Sequence, residues 1–294
     1  MKYTLAVLYI FFFSLTLNGQ TVLGYQLKKG DVFKVKQNAK QLITQELDGA
    51  SHVLTNTLDG ILEFTVIGES NDAYTIAFQF KDLNLLMDSS IQGELMNVRA
   101  KEVSEEDIQS KMFNSLLDQP VEMMLAKTGN ILEVVGGDSL VAQMANSSGL
   151  EDEFSKNLMK KSLEKEFGSE ALSSSYKQMT FIYSDHQVAV GDTWQNEYTG
   201  KLNAQNTWTL EALEDKTVTI SGNADVTMDI NEQATTMNLM GSQTTEITAD
   251  RNTGFIEFMT VESEAKGVST MAQLGDQEIP TTITSTITYK LIEE

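Results

Sequence analysis

Few side chains in this chain are suited to nucleophilic catalysis. The 294 residues include two histidines, His52 and His186, and no cysteine. Ser184, Asp185 and His186 supply the residue types of a serine hydrolase triad, but a triad is defined by its geometry and adjacent positions do not create it. A Gly-x-Ser-x-Gly elbow is also missing from the sequence. We therefore predict solvated surface histidines and assign no catalytic residue.

The oxygen-bearing side chains give only a weak case for a metal. A zinc site needs three or four clustered ligands, which two scattered histidines without thiols do not supply. Asp250, Asn252 and Gly254 have the spacing of the start of a calcium loop, but Val261 stands where such a loop needs Glu. A hairpin turn is favoured there. Three further residues fall at strand-like spacing and give no stronger indication of a metal site: Asp225, Asp229 and Asn231. We expect no metal and no cofactor.

Paired carboxylates, as in glycosidases, would act from about 5 or 9 Å apart in one cleft. The chain has 42 acidic residues, so the presence of acids alone carries little information. Glu63 and Glu133 lie in strand patterns at the exposed parity, where acids are ordinary surface residues. A hydrolase of this kind therefore stays open as an alternative.

The 14 methionines are the remaining unusual feature. Methionine is flexible and fills irregular apolar surfaces. We expect most of them to fill the core, and the alternative is a groove for hydrophobic ligands between sheet and helices. The residues concerned are Met87, Met96, Met112, Met123, Met124, Met228, Met237, Met240, Met259 and Met271.

The net charge of −21 restricts the partners. Such a surface repels nucleic acid backbones and anionic lipid headgroups. Without cysteine the chain forms no disulfides, and it lacks the residue to which a lipoprotein anchor is attached. The expected partners are a hydrophobic small molecule or an envelope protein, not nucleic acid.

Residues 1–20 have the layout of a secretory signal peptide. Lys2 is followed by the apolar run Leu5–Phe13 and a polar stretch that ends near Gln20, the expected cleavage site. The alternative is a membrane anchor, but the apolar core is shorter than the roughly 20 residues that a spanning helix needs. We predict export to the periplasm or the cell exterior, with no transmembrane segment after cleavage.

Strict alternation of apolar and polar residues predicts an antiparallel β protein. The alternating apolar sets are Leu62, Phe64 and Val66; Tyr74, Ile76, Phe78 and Phe80; and Ile283, Ile287, Tyr289 and Leu291. Turn signals separate these runs at hairpin spacing. The predicted turns are Asp48-Gly49, Asp59-Gly60, Thr128-Gly129-Asn130, Ser221-Gly222-Asn223 and Asn252-Thr253-Gly254.

The central region, about 139–179, changes to a helical period. Ser148 and Glu151 fit a capping box that opens a helix with Phe154, Leu158, Leu163 and Phe167 at helical spacing. Three further helices are predicted: at 139–145, at 105–114, and after Ser169 with Leu172, Tyr176 and Met179 on one face. The predicted organisation is a signal peptide 1–20, a β-meander 21–136, a helical segment 137–180 and a second β-meander 181–294.

Three pairs of segments recur in the same order and suggest an internal duplication. They are 29–33 and 190–194, 62–80 and 208–226, and 121–134 and 245–258. The first pair shares Gly-Asp followed by an aromatic residue two positions after Asp. Asp can bind backbone amides at such a turn, and the aromatic is then an inward anchor. A ligand-stacking role for Trp194 is the alternative.

On these motifs the chain resembles an uncharacterised secreted family of Bacteroidetes-type bacteria, the domain of unknown function 6263. The resemblance rests on Tyr25-x-Leu27-x-x-Gly30-Asp31, on residues 129–136 (GNILEVVG) and on residues 190–194 (VGDTW). It covers most of the chain after the signal and implies no catalytic or ligand-binding residues. The layout is more distantly similar to half-barrel carriers of lipids and lipoproteins, a likeness of fold alone.

The sequence thus predicts a mainly β protein, a curved antiparallel half-barrel of two similar halves with a helical insertion. The preferred function is a non-catalytic, exported envelope protein that binds a hydrophobic ligand or a partner. One alternative is a structural or adhesion module that acts through sheet edges and its acidic surface. The other is the hydrolase with paired carboxylates. No ligand-binding residue is assigned at this stage.

Overall fold

The computed structural model describes residues 20–104, 107–200, 202–232 and 235–293. Residues 1–19 of the predicted signal peptide therefore lie outside the described residues. The same holds for the first two residues of the helix predicted at 105–114.

The described residues form twelve strands and four α-helices. The strands are β1 (Val32–Leu47), β2 (Ala50–Glu69), β3 (Ala73–Ser89), β4 (Gly93–Arg99), β5 (Val121–Ala126), β6 (Ile131–Val135), β7 (Thr193–Tyr198), β8 (Asn203–Leu213), β9 (Thr217–Asn231), β10 (Thr235–Asp250), β11 (Ile256–Met271) and β12 (Ile279–Ile292). The helices are α1 (Ile108–Asn114), α2 (Gly137–Ser147), α3 (Glu153–Phe167) and α4 (Ser169–Thr180), with a short 3-10 helix at Ala272–Leu274.

All twelve strands belong to one open antiparallel sheet. Its order is β6-β5-β3-β2-β1-β12-β11-β10-β9-β8-β7, with β4 paired to β3 outside this path. The β1–β12 ladder joins strands β1–β6, which precede α2, to strands β7–β12, which follow α4. The predicted fold class, mainly antiparallel β with a helical insertion, is confirmed.

The alternating pattern places the core on one face of the sheet, here called the inner face. In β3, Tyr74, Ile76, Phe78 and Phe80 are all buried. The same holds for the predicted inward set of β2. In β12 the predicted outward set Thr282, Thr284, Thr286 and Thr288 lies on the opposite, outer face, whereas Thr281 is buried at the inward parity. Successive strand side chains point to opposite faces, so one parity builds the core while the other remains in contact with solvent.

Three of the five predicted turns are hairpin turns. Asp48 and Gly49 both have positive φ, as a two-residue turn between twisted strands requires. The turns at 128–130 and 252–254 likewise join β5 to β6 and β10 to β11.

The other two predicted turns are wrong, because their glycines lie inside long strands. Gly60 lies within β2 and Gly222 within β9. At Gly222 the inner face accommodates the ring of Trp208, and a Cβ atom would lie 2.4 Å from its Cζ3 atom. The absence of a side chain makes room for a neighbouring aromatic ring, so this glycine does not mark a reversal of the chain.

The helices cover part of the inner face and link the two ends of the sheet. Helix α4 packs against β6 and also contacts β7, which are the terminal strands of the sheet. Its predicted face is buried as expected, with Leu172, Tyr176 and Met179 in the core. We refer to α3 and α4 together as the lid.

The predicted capping box of α3 is wrong. The helix begins at Glu153, and Asp152 caps it by accepting a hydrogen bond from the Ser155 amide at 2.7 Å. Ser148 instead closes α2 and donates its hydroxyl to the Ala145 carbonyl. Gly149 follows with a φ of +74°, which ends the helical path, so a new cap is needed.

The four apolar residues of α3 divide between two opposite faces. Leu163 is buried and Phe167 packs against the core, whereas Phe154 is 79% exposed and Leu158 is 63% exposed. At 100° per residue the two pairs lie roughly half a turn apart, so only the second pair reaches the core, on the side where α3 packs against α2 and α4.

The two Gly-Asp elements have the same local geometry. Asp31 accepts the Lys28 amide at 2.8 Å, and Asp192 accepts the Ala189 amide at 2.9 Å. In each case the glycine amide donates to a carbonyl of the next strand. This is the turn chemistry expected for the motif, while the duplication itself stays a prediction.

Candidate functional site

A cleft of about 1220 Å³ separates the lid from the inner face of the sheet. The lid side is formed by α3, α4 and the residue between them. The floor is formed by strands β1, β9, β11 and β12, with the end of β7. The lining residues are Gln37, Gln41, Asp138, Lys161, Glu164, Lys165, Gly168, Ser169, Glu170, Ala171, Ser174, Ser175, Gln178, Tyr198, Gly200, Leu202, Val226, Met228, Glu232, Ser263, Ala265, Ile283, Ser285, Ile287 and Tyr289.

The floor of the cleft is largely apolar. Val226, Ala265 and Ile283 belong to a hydrophobic cluster that is separate from the main core under the helices. They come from three different strands and share the inner face because each lies at the inward parity. An apolar concave surface of this kind favours the apolar part of a ligand.

A row of polar residues crosses the apolar floor. Gln41, Ser285, Ser263 and Gln243 are successive partners across β1, β12, β11 and β10. The two serine hydroxyls are 2.8 Å apart, and Gln41 accepts a hydrogen bond from Asn56 at 3.0 Å. Each side chain of the row has a hydrogen-bond partner, either within the row or on a neighbouring element, which lets polar groups occupy a partly buried surface.

The charged residues of the cleft lie outside the floor strands. Lys161, Glu164 and Lys165 belong to α3, Glu170 belongs to α4, and Asp138 and Glu232 lie in α2 and directly after β9. Lys165 Nζ and Glu232 Oε1 are 2.6 Å apart, which joins the lid to the sheet side of the cleft.

Two tyrosines at the floor remain neutral. Burial raises the pKa of Tyr198 and of Tyr289 above the usual phenol range. The Tyr198 hydroxyl accepts a hydrogen bond from Gln243 at 3.3 Å. A phenol with a raised pKa stays protonated at neutral pH, so these rings offer apolar contact and hydrogen bonding but no general base.

The triad residues do lie together, but in the wrong arrangement. Ser184 Oγ is 3.0 Å from His186 Nδ1, and Asp185 Oδ1 is 2.8 Å from the same nitrogen. A triad needs the serine on one ring nitrogen and the carboxylate on the other. Ser184 Oγ also accepts the His186 amide, so the group is a local turn. The other histidine, His52, lies far along the chain on β2 and pairs across the ladder with Gln45.

The predicted calcium-like segment forms a hairpin turn. Asp250 Oδ1 accepts the amides of Asn252 and Thr253 and the Thr253 hydroxyl. Asp225, Asp229 and Asn231 lie on the exposed outer face of β9. Across the described ranges, no group of three or more histidine or acidic side chains is placed to hold a metal ion.

The acids singled out from sequence do not form a pair. Glu63 lies on β2, where it accepts Gln79 and contacts Lys34, whereas Glu133 is exposed on β6. Strands β3 and β5 separate β2 from β6. Three inter-strand steps correspond to about 14 Å, which is more than either glycosidase geometry allows.

The aromatic and methionine predictions have mixed outcomes. Trp194 is buried and donates its indole N–H to the Ile182 carbonyl, so its ring is not a surface for stacking a sugar.

Met112, Met123 and Met259 fill the core, whereas Met240 is exposed. Of the ten methionines considered, Met228 lines the cleft.

The sequence offered a groove between sheet and helices only as an alternative, and it assigned none of the residues that line the cleft. Gln37 and Gln41 stand at the inward parity of β1, where a closed core would have apolar residues. Gln178 on α4 is likewise a polar residue near a buried face, where an apolar residue is usual. Polar residues at inward positions were the available signal, but they identify a site only when both strand and lid are placed.

Comparison with known proteins gives one family match. A family model described as "Family of unknown function (DUF6263)" matches residues 71–256, more than half of the chain. A comparison with curated proteins finds no match. In the part of the chain that the structure describes, no helix has the length and hydropathy needed to cross a bilayer.

Two solved structures show different degrees of similarity. A lipovitellin structure, titled for lipid–protein interactions, aligns with a TM-score of 0.51 at 12% identity over 91% of this chain. The alignment spans 26% of the lipovitellin chain, so the likeness concerns the fold of about a quarter of that protein. An outer membrane channel from Pseudomonas putida F1 aligns with a TM-score of 0.26 at 7% identity, over 91% of this chain and 97% of that chain, which does not support a shared fold.

Proposed function

The chain belongs to the DUF6263 family of unknown function, and from that starting point we propose that it is an exported, non-catalytic protein that binds a hydrophobic ligand in the cleft. The observation that carries the proposal is the large cleft with an uncharged, mostly apolar floor. Pockets for small ligands typically enclose about 300–1,000 Å³, so this cleft has room for an acyl chain and a headgroup.

Three further observations support the proposal. The match to lipovitellin, whose title names lipid–protein interactions, is consistent with a sheet that accommodates lipid against its inner face. The signal-like residues 1–20 and the charge of −21 fit an exported protein. The described triad residues share one ring nitrogen, which argues against that route to catalysis.

An adhesion module that acts through free sheet edges is less well supported. An unpaired edge strand is the usual template for strand addition. Here α4 packs against β6 and contacts β7, the terminal strands, which reduces access to both.

Binding is tested with the neutral fluorescent probe N-phenyl-1-naphthylamine, whose emission rises in apolar surroundings. The purified protein is expected to bind the probe saturably. Ser175 lies on the cleft side of α4, so Ser175→Trp should fill the cleft and weaken binding at least several-fold. Ser162→Trp is the matched control, because Ser162 is an exposed lid serine that does not line the cleft.

Equal affinity in both tryptophan variants would place the probe elsewhere and count against the cleft. Native mass spectrometry of protein purified from its own host gives an independent check. A co-purifying lipid that is lost in Ser175→Trp and kept in Ser162→Trp would support the proposal.

A further inference from the structure

Charged and uncharged residues occupy different parts of the cleft, and this separation bears on the ligand's headgroup. Every floor residue on strands β1, β9, β11 and β12 is uncharged. The charged lining residues are two lysines and four acids, and five of these six residues lie on α2, α3 and α4. The cleft is therefore amphipathic, with an apolar floor and a charged border that carries both signs.

Both signs are concentrated where α3 meets α4. Lys161, Glu164 and Lys165 are three and four positions apart, so they share one face of α3. Glu170 follows in the first turn of α4. A border of one sign would favour a head of the opposite charge, but this border offers partners for a cation and an anion close together.

The start of α4 presents backbone amides to the cleft, beside the C-terminal end of α3. Gly168 lines the cleft as the N-cap residue of α4 and the C-cap residue of α3, and no side chain caps α4 by a hydrogen bond. The first amides of a helix carry partial positive charge and attract anionic groups. Lys161 and Lys165 border the same part of the cleft, whereas Glu164, Glu170 and Asp138 supply negative charge beside it.

We infer that the ligand is an amphiphile with a zwitterionic head, its phosphate near the lysines and the start of α4 and its ammonium near the acids. The acyl chain lies on the apolar floor. This deepens the proposed function and rests on it. A purely anionic head would leave the acids unmatched and would be opposed by the net charge of −21. A purely cationic head would leave Lys161 unmatched, since Lys165 already pairs with Glu232.

The test is displacement of bound N-phenyl-1-naphthylamine by three detergents with the same twelve-carbon chain, all used as monomers. Dodecylphosphocholine is zwitterionic, dodecyl phosphate is anionic, and dodecyltrimethylammonium is cationic. An exposed ion pair contributes about 0.2–1 kcal/mol, so the one extra pair should let dodecylphosphocholine displace the probe at about 1.4- to five-fold lower concentration than either of the others. Equal or better displacement by a singly charged detergent overturns the inference.

Two variants assign the two charges. Lys161→Ala should weaken displacement of the probe by the two detergents that carry a phosphate, and leave displacement by dodecyltrimethylammonium unchanged. Glu170→Gln should weaken displacement by the two detergents that carry an ammonium group, and leave displacement by dodecyl phosphate unchanged. Lys160→Ala is the control, since Lys160 lies on α3 away from the cleft lining. Unchanged head preference in both cleft variants contradicts the assignment.

Failure of the probe to bind at all overturns the proposed function as well, whereas binding without head preference overturns this inference alone.

Discussion

Gln178 on α4 donates a hydrogen bond from its Nε2 to Oε1 of Gln243 on β10, at 2.8 Å. Gln243 is buried, and its own amide reaches the Tyr198 hydroxyl. This chain of contacts joins the lid to the sheet at the cleft, so the spacing of lid and floor is held by side chains that face the site itself.

Replacing Gln178 should weaken this contact between α4 and the sheet. Gln178→Ala leaves the buried Gln243 oxygen without its donor, and we expect a loss of about 1–2 kcal/mol in the free energy of unfolding, measured by urea denaturation. Ser173→Ala on the same helix is the control and should stay within about 0.5 kcal/mol of the parent. An equal effect of the two changes would mean that water replaces the lost donor.

Adding a methyl group at Gly222 should be costly. The Cβ atom of Gly222→Ala would lie 2.4 Å from Trp208 Cζ3, and the indole is held by a 3.0 Å hydrogen bond from its Nε1 to Asn196 Oδ1. Overpacking a fixed ring should destabilise the fold by about 1–3 kcal/mol in urea denaturation.

The double variant Gly222→Ala with Trp208→Leu separates steric overlap from other effects. If the ring is the obstacle, the two losses are not additive and the double variant is more stable than their sum implies. Additive losses would show that Gly222 is needed for another reason.

The two faces of α3 should respond differently to the same change. Leu163→Ser removes a buried side chain and should lower the free energy of unfolding by about 2–4 kcal/mol. Phe154→Ser alters a ring that is 79% exposed and should change it by less than about 0.5 kcal/mol. Thermal denaturation of the pair checks this, and a large loss in Phe154→Ser would show that the ring is covered in solution.

Asp250 should make stability depend on pH in the acid range. Burial acts to raise the pKa of Asp250, but hydrogen bonds from Thr253 and Asn252 outweigh it and hold the pKa below its usual range. A carboxylate with a lowered pKa in the folded state stabilises the fold above its unfolded pKa, and the contribution disappears as pH falls through the folded pKa.

The Asp250→Asn variant isolates this charge. It should be less stable than the parent at pH 7, and the gap should close as the pH is lowered below about 4 toward the lowered pKa of the native carboxylate. Thermal melts over pH 7 to 2.5 measure the gap. Asp229→Asn, on the exposed outer face of β9, should show no comparable change. A gap independent of pH would mean that the turn depends on shape alone.

The sequence patterns were most informative where burial follows directly from strand parity. Phe64 in β2 and Phe78 in β3 were placed inward by alternation, and both are fully buried and close to each other. Patterns were least informative where a residue type is required by the packing of a residue that is remote in sequence. Gly222 and Gly60 look like turn glycines, yet each sits in a strand beside a side chain or carbonyl of the adjacent strand.

The α3 cap shows the same limit within a helix. Ser148 and Glu151 match a capping box, but Asp152 offers a carboxylate to the same kind of amide donor and forms the cap. Neighbouring candidates with similar local energies cannot be ranked from their spacing, because the path of the preceding helix decides which one reaches the helix start.

By itself the sequence determined the class of the molecule: its β-strands, its central helices and its acidic surface, since these depend on local alternation and on counted charge. Only the tertiary structure decided that one sheet runs unbroken from β6 to β7, that α4 spans its two ends, and that a cleft remains between them. The reason is that a cleft is a relation between surfaces remote in sequence, so Gln41 and Gln178 acquire a shared environment only when the chain is folded.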